Sequence, residues 1–150
     1  MLLNGRTVLV TGGASGLGGA TVDMIVAAGG LDLCLLGIGM NGHLGFNEPA
    51  ADLTAGTHRV RLAAATRRAN AYLFKDQLRE VPREAYSMGI ATILTARTIV
   101  LLATGSAKAS IVRRAIAGRV STRVPASLLQ THPNALVVLD RAAAGDLTRR

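Results

Sequence analysis

The chain has one cysteine, no tryptophan, and only two tyrosines and two phenylalanines. A single thiol excludes an intrachain disulfide, so packing has to hold the fold. Cys34 lies inside the apolar run Leu33-Cys34-Leu35-Leu36, the setting of a buried, inert thiol and not of a nucleophile. Long hydrophobic runs are also lacking. A stretch such as Ile99 to Ala103 is far short of the roughly 20 residues that a membrane span requires. No basic segment followed by an apolar leader pattern opens the chain, so the expected location is cytoplasmic, with no membrane partner. Acidic residues are scarce, 9 against 17 Lys and Arg, for a net charge of +8. Such an excess can serve a polyanion, but here the basic residues are scattered, with no zinc-finger spacing and no aromatic interleaving. They read as a solvated surface with some attraction for small phosphorylated ligands, and no nucleic-acid partner is expected.

What is present is a globular composition, 49% hydrophobic over 150 residues, enough for one compact domain and too little for two. The chain alternates strand-like and helix-like patterns. Gly5 to Val10 reads as a buried strand. It runs into the turn Thr11-Gly12-Gly13-Ala14-Ser15-Gly16-Leu17-Gly18, and a helical pattern follows until Gly29-Gly30. A turn of this kind at a helix start can cradle a phosphate on its free amides. Leu33 to Leu36 is the next strand, followed by a Gly-rich loop. Thr57 to Leu62 alternates like an edge strand, and Ala63 to Lys75 carries helix formers. Val81 to Ile90 reads as a short strand feeding a helix over 91–95. Arg97 to Ala103 is a buried strand that leads through Thr104-Gly105-Ser106-Ala107-Lys108 into a helix reaching about Ala117. Val124 to Gln130 has proline near a helix start, Asn134 to Asp140 is a last strand, and residues 141–150 read as a mobile tail.

The organising stretch is Leu31 to Ala50, LDLCLLGIGMNGHLGFNEPA, an apolar strand ending in glycines and then releasing Asn41, His43 and Glu48 within a short loop. In an open α/β sheet, ligands gather beyond the carboxyl ends of the strands. A histidine with a carboxylate nearby is a chemically sensible acid/base pair. The bland reading of the same residues is a tight turn whose polar side chains satisfy local backbone groups.

Asn41-Gly42-His43-Leu44-Gly45-Phe46-Asn47-Glu48-Pro49 resembles the signature loop of the glucosamine-6-phosphate deaminase/isomerase family, and the likeness continues over about residues 32–140. Thr66-Arg67-Arg68-Ala69-Asn70, Val81-Pro82 through Gly89, and Pro125-Ala126-Ser127 through His132-Pro133 all resemble family segments. The resemblance implies a single Rossmann-like α/β domain with a mostly parallel sheet flanked by helices. It implies conversion of a phosphorylated amino sugar to a ketose phosphate and ammonia, with no metal and no redox cofactor. On this reading His43 opens the sugar ring, Glu48 tunes and orients the imidazole, and Asn41 holds a hydroxyl or the histidine. Lys108 would bind the phosphate, with Gly42, Ser106 and Tyr72 as further substrate contacts. Tyr72 stands where the family usually has arginine or lysine, which predicts a weaker phosphate grip. His132 reads as structural.

Residues 3–30 resemble instead the opening of a short-chain dehydrogenase/reductase, through Thr11, Gly12, Gly16 and Gly18. The rest of that family's pattern is missing: Tyr72 and Lys75 are spaced one residue too close for Tyr-x-x-x-Lys, and Asp32 begins a strand instead of ending one. Three units are therefore expected: residues 1–30, dehydrogenase-like; residues 31–140, deaminase-like; and the tail. The family's proton-transfer carboxylate and its other phosphate loop belong to an upstream segment with no counterpart here. The expectation is a truncated or chimeric chain of weak or no turnover that self-associates through uncovered apolar faces. The turn at Gly12, Gly13, Ser15, Gly16 and Gly18 could cradle phosphate. The alternatives are a dehydrogenase-like protein using NAD(P) at that turn, and a non-catalytic sugar-phosphate-binding fragment.

Overall fold

The computed structural model describes residues 16–27 and 29–147. The strand read at Gly5 to Val10 and the turn residues Gly12, Gly13 and Ser15 lie outside these described residues. Gly16 and Gly18 fall in the first helix, α1 (Gly16–Ala27), which ends ahead of Gly29-Gly30, where the Gly30 amide donates to the Ile25 carbonyl.

The fold is α/β, built on a parallel sheet flanked by helices. The apolar runs LCLLG, TIVLLA and ALVVL form β1 (Leu33–Gly37), β4 (Thr98–Ala103) and β5 (Ala135–Leu139), in the spatial order β1-β4-β5. A separate antiparallel ribbon pairs β2 (His58–Arg61) with β3 (Glu84–Ser87). Two short helices, α2 (Ala64–Ala69) and α3 (Ile90–Leu94), follow β2 and β3, and α4 (Ala109–Ile116) follows β4.

Strand register divides the sheet into two faces. Cys34, Ile99 and Ala135 form one row and Leu36, Leu101 and Val137 the next, all facing the core. The amphipathic α4 covers this face with Ile111, Val112 and Ala115, joined by Ala126 and Leu129 of the 3-10 helix Pro125–Thr131. Gln130 closes α4 by donating its amide to the carbonyls of Ala115 and Gly118. Burial pushes the Cys34 thiol up to about 11, which keeps it protonated and unreactive.

The opposite face is uncovered. Continuous apolar runs in parallel strands normally mean burial on both sides, yet Leu33, Leu35, Leu102, Leu136 and Val138 are exposed, each by 41% or more. They share one face by register, with Val100 between Leu35 and Leu136.

Two segments depart from their sequence patterns. The run from Ala63 to Lys75 is not one helix: α2 ends at Asn70, whose backbone and side-chain amides both donate to the Thr66 carbonyl. A 3-10 turn, Ala71–Phe74, follows. In the tail, residues 141–147 form turns with Ala143 fully buried, and the Asp140 carboxylate accepts the Ala143 amide at 2.7 Å.

Candidate active site

The carboxyl end of β1 delivers Gly37-Ile38-Gly39 to the floor of a cleft of about 500 Å³. Gly39 is needed for close approach: a Cβ there would collide with the His43 ring, which lies directly against it. The turn is closed by the Gly39 amide donating to the His43 carbonyl and the Gly42 amide donating to the Gly39 carbonyl. Gly42 takes φ +91° and is buried, with Val124 Cγ1 2.9 Å from where a Cβ would stand. A side chain is excluded there on both counts.

Asn47 anchors the loop from below. Its buried amide donates to the carbonyls of Leu44 and Met88, both at 2.8 Å, and Ser87 Oγ accepts the Phe46 amide. Neither Asn47 nor Phe46 touches the chemistry; they set the height at which His43 and Glu48 emerge.

Asn41, His43 and Glu48 come together as a directional network. Asn41 Nδ2 donates to Glu48 Oε2 at 2.6 Å. A carboxylate only accepts, so the amide must turn its oxygen to the histidine. Asn41 Oδ1 indeed lies 2.8 Å from His43 Nδ1 and 3.3 Å from the His43 amide. Nδ1 therefore carries the proton in the neutral ring, and Nε2 keeps its lone pair. Among the described residues Nε2 has no recorded hydrogen-bond partner. Glu48 Oε2 stands 3.6 Å from Nδ1, too long for a hydrogen bond. Its influence on the ring is electrostatic and runs through Asn41.

Glu48 is also tied to α2. Its Oε1 accepts the Thr66 hydroxyl at 2.6 Å and the Ala63 amide at 3.3 Å. Burial by itself would raise the Glu48 pKa, but the His43 ring, the Thr66 hydroxyl and the Asn41 amide together hold it down at about 2. A carboxylate whose pKa falls on folding stabilises the fold above its unfolded value of 4.5 and ceases to do so as pH drops towards 2. Wild type should thus lose up to about 3 kcal/mol of stability across that window, by chemical denaturation at stepped pH. Glu48→Gln should flatten this acid limb.

Lys108 crosses from the start of α4 to β1, donating Nζ to the Ile38 carbonyl at 2.6 Å. Burial lowers its pKa. The turn before it is braced by Asp140, whose two carboxylate oxygens receive the Gly105 amide at 3.1 and 3.0 Å. The Ala143 amide, and after it the Gly105 amide, hold the Asp140 pKa below its usual value. Tyr72 stands exposed on the cleft rim, carried there by the 3-10 turn after Asn70.

The structure thus brings His43, Asn41, Lys108 and Tyr72 to one cleft, with Glu48 directly behind. Gly42 and Ser106 are not among the lining residues: Gly42 is buried beneath the loop, and Ser106 is exposed beside it. His132 accepts the Asn134 amide at Nδ1 and meets the Ala96 carbonyl through Nε2, a structural histidine away from the cleft. Sequence reasoning assigned no role to Thr66. The only available signal was its place in the Thr-Arg-x-Ala-Asn segment.

These features define an α/β protein whose site lies beyond the carboxyl end of a parallel sheet, with a polarised histidine and a lysine facing one cleft. The chain belongs to the glucosamine-6-phosphate isomerases/6-phosphogluconolactonase family, whose model matches residues 19–138. It is 51% identical over 148 residues to a glucosamine-6-phosphate deaminase of Rhodopirellula baltica, covering 97% of this chain and 59% of that protein. It is 53% identical over 121 residues to the deaminase of a Geobacillus species, covering 81% of this chain and 48% of the other. A solved monomeric glucosamine-6-phosphate deaminase superposes with a TM-score of 0.80 at 40% identity, over 94% of this chain and 59% of that one. A 6-phosphogluconolactonase of Trypanosoma cruzi, 20% identical with a TM-score of 0.63 over 87% of this chain and 51% of its own, shares the fold. The chain therefore spans about half the length of the relatives it matches. The Rhodopirellula match reaches into residues 1–30, the segment read as dehydrogenase-like. Among the described residues no helix is long and apolar enough to cross a membrane.

Proposed function

We propose that this chain carries the ring-opening and phosphate-facing part of a glucosamine-6-phosphate deaminase site. The observation that carries the reading is the fixed polarity of the His43–Asn41–Glu48 network, which leaves Nε2 as a base at the cleft. His43 Nε2 takes the proton from the anomeric hydroxyl of the phosphorylated amino sugar and returns it to the ring oxygen as the bond from that oxygen to C1 breaks, the imidazolium formed in between being stabilised through Asn41 by the Glu48 carboxylate. Lys108 leaves the Ile38 carbonyl for the substrate phosphate, a stronger charge-assisted partner. Tyr72 offers the phosphate a single neutral hydrogen bond. None of these steps calls on a metal or a redox cofactor.

Turnover by this chain alone is proposed to be weak. Among the described residues lining the cleft there is no carboxylate to move the C2 proton, and a lost general base costs a factor of about 10² to 10⁴. The test is ammonia and fructose 6-phosphate release from glucosamine 6-phosphate at high protein concentration. Slow release that disappears in His43→Ala supports the reading. If wild type releases nothing but still binds fructose 6-phosphate, and Lys108→Ala abolishes that binding, the chain is a sugar-phosphate binder only. Neither release nor binding overturns both.

Self-association is proposed as well, supported by the apolar sheet face of Leu33, Leu35, Leu102, Leu136 and Val138. The double substitution Leu35→Lys, Leu136→Lys should lower the sedimenting mass towards that of a single chain. A wild type that already sediments as one chain refutes it.

A further inference from the structure

We infer that Thr66 is a positioning residue of the site: its hydroxyl locks the Glu48 carboxylate, and through Asn41 this decides which nitrogen of His43 carries the proton. The inference rests on the proposed site but not on its turnover. Thr66 is 3% exposed and sits in the first turn of α2, where its Oγ1 lies 2.6 Å from Glu48 Oε1 and 3.5 Å from His43 Nδ1. At 2.6 Å from a carboxylate that only accepts, the hydroxyl must spend its one proton on Glu48. It has none left to offer the imidazole, so it cannot act as a competing donor to Nδ1.

The consequence is a one-way chain. Thr66 donates to Glu48 Oε1, which keeps Oε2 turned to Asn41. Asn41 Nδ2 donates to Oε2, which keeps Oδ1 turned to the ring. Without the hydroxyl, Oε1 retains only the Ala63 amide at 3.3 Å, a long and weak contact. The carboxylate is then free to rotate about its last bond, the Asn41 amide loses its fixed partner, and both His43 tautomers become accessible. The placement of Thr66 is itself secured by its neighbours on the same segment, Asn70 on the cleft wall and Arg67 behind it. Its carbonyl accepts the Asn70 side-chain amide at 2.8 Å, and Arg67 beside it donates to the Leu78 and Val81 carbonyls.

The test compares Thr66→Val, which keeps the shape and removes the hydroxyl, with Thr66→Ser, which restores the hydroxyl. Thr66→Ala serves in place of valine if the branched side chain impairs folding, since alanine favours the helix. The readout is the pair of His43 ring nitrogen shifts in ¹⁵N-labelled protein, recorded at a pH where the ring is neutral. Wild type and Thr66→Ser should show Nδ1 protonated and Nε2 bare. Thr66→Val should show an exchanging mixture of both tautomers. This result is independent of ammonia release, so a chain without turnover still answers the question. Where turnover is measurable, kcat should fall about tenfold in Thr66→Val with KM within about twofold, and recover in Thr66→Ser. A Thr66→Val protein that keeps the wild-type tautomer overturns the inference, as does a Thr66→Ser protein that behaves like valine.

Discussion

Gly39→Ala should displace the His43 ring and lower ammonia release by about 10²-fold or more, while leaving the protein folded. The added methyl would occupy the space now held by the Cε1, Nδ1 and Nε2 atoms of the imidazole. The ring is the part that yields, because Gly39 is hydrogen-bonded at the end of β1 and its φ is one that alanine accepts. Overpacking of this kind costs about 1–3 kcal/mol of stability. A reacting group moved by about 1 Å costs about 10²-fold in rate. Gly56→Ala is the matched control, since a Cβ there meets open space. Thermal melting alongside the ammonia assay separates the two effects. Unchanged release in Gly39→Ala would show that the ring does not need its present seat. Where wild-type turnover is too slow to follow, displaced His43 ring resonances in a folded variant report the same event.

The largest loss of stability is expected for Asn47→Asp, an isosteric change that moves almost no atoms. Asn47 is 2% exposed, and its amide nitrogen is the donor to two carbonyl oxygens. An aspartate oxygen in that place would face the Leu44 and Met88 carbonyls with nothing to donate. A buried, unpaired charge of this kind costs about 3–5 kcal/mol. Asn47 Oδ1 already lacks a partner among the described residues, so the other carboxylate oxygen finds no compensation. The aspartate would take up a proton on folding, so its folded pKa would lie above its unfolded value. Its penalty is therefore greatest at neutral pH and shrinks as pH falls. Urea denaturation at pH 7.5 and pH 5 should show the gap from wild type narrowing at the lower pH, where Glu48 is still ionised. A gap that is small at both values would mean that Asn47 does not hold the loop.

Much of the site could be read along the chain because its members are close in sequence. Asn41, His43 and Glu48 fall within eight positions, and the strand-to-glycine transition before them announces the end of β1. Lys108 follows a second strand, turn and helix start, and its phosphate role comes from the resemblance to the family at that turn. What escaped was the order of contacts. Glu48 reads as the group that orients His43 and Asn41 as holding either a hydroxyl or the histidine, whereas Asn41 makes the direct bond and Glu48 acts through it. Thr66 reads as one more helix residue, because nothing along the chain shows a hydroxyl meeting a carboxylate 18 positions earlier. The break of α2 at Asn70 was equally hidden. Helix propensity favours continuation through residues 71–74, yet the α-helical pattern stops at Asn70 and gives way to a 3-10 turn, Ala71–Phe74.

Local sequence by itself determined the alternation of strands and helices, the family, and the residues that meet in the signature loop. Each of these rests on patterns a few residues long. Only the tertiary structure decided which face of the sheet is covered, that Gly42 and Ser106 stand off the cleft, and that Thr66 closes the network behind His43. These depend on register and on contacts between distant segments. The same apolar strand is buried or exposed according to what packs on it, and the same histidine keeps its lone pair on one nitrogen or the other according to which way a neighbouring amide is turned.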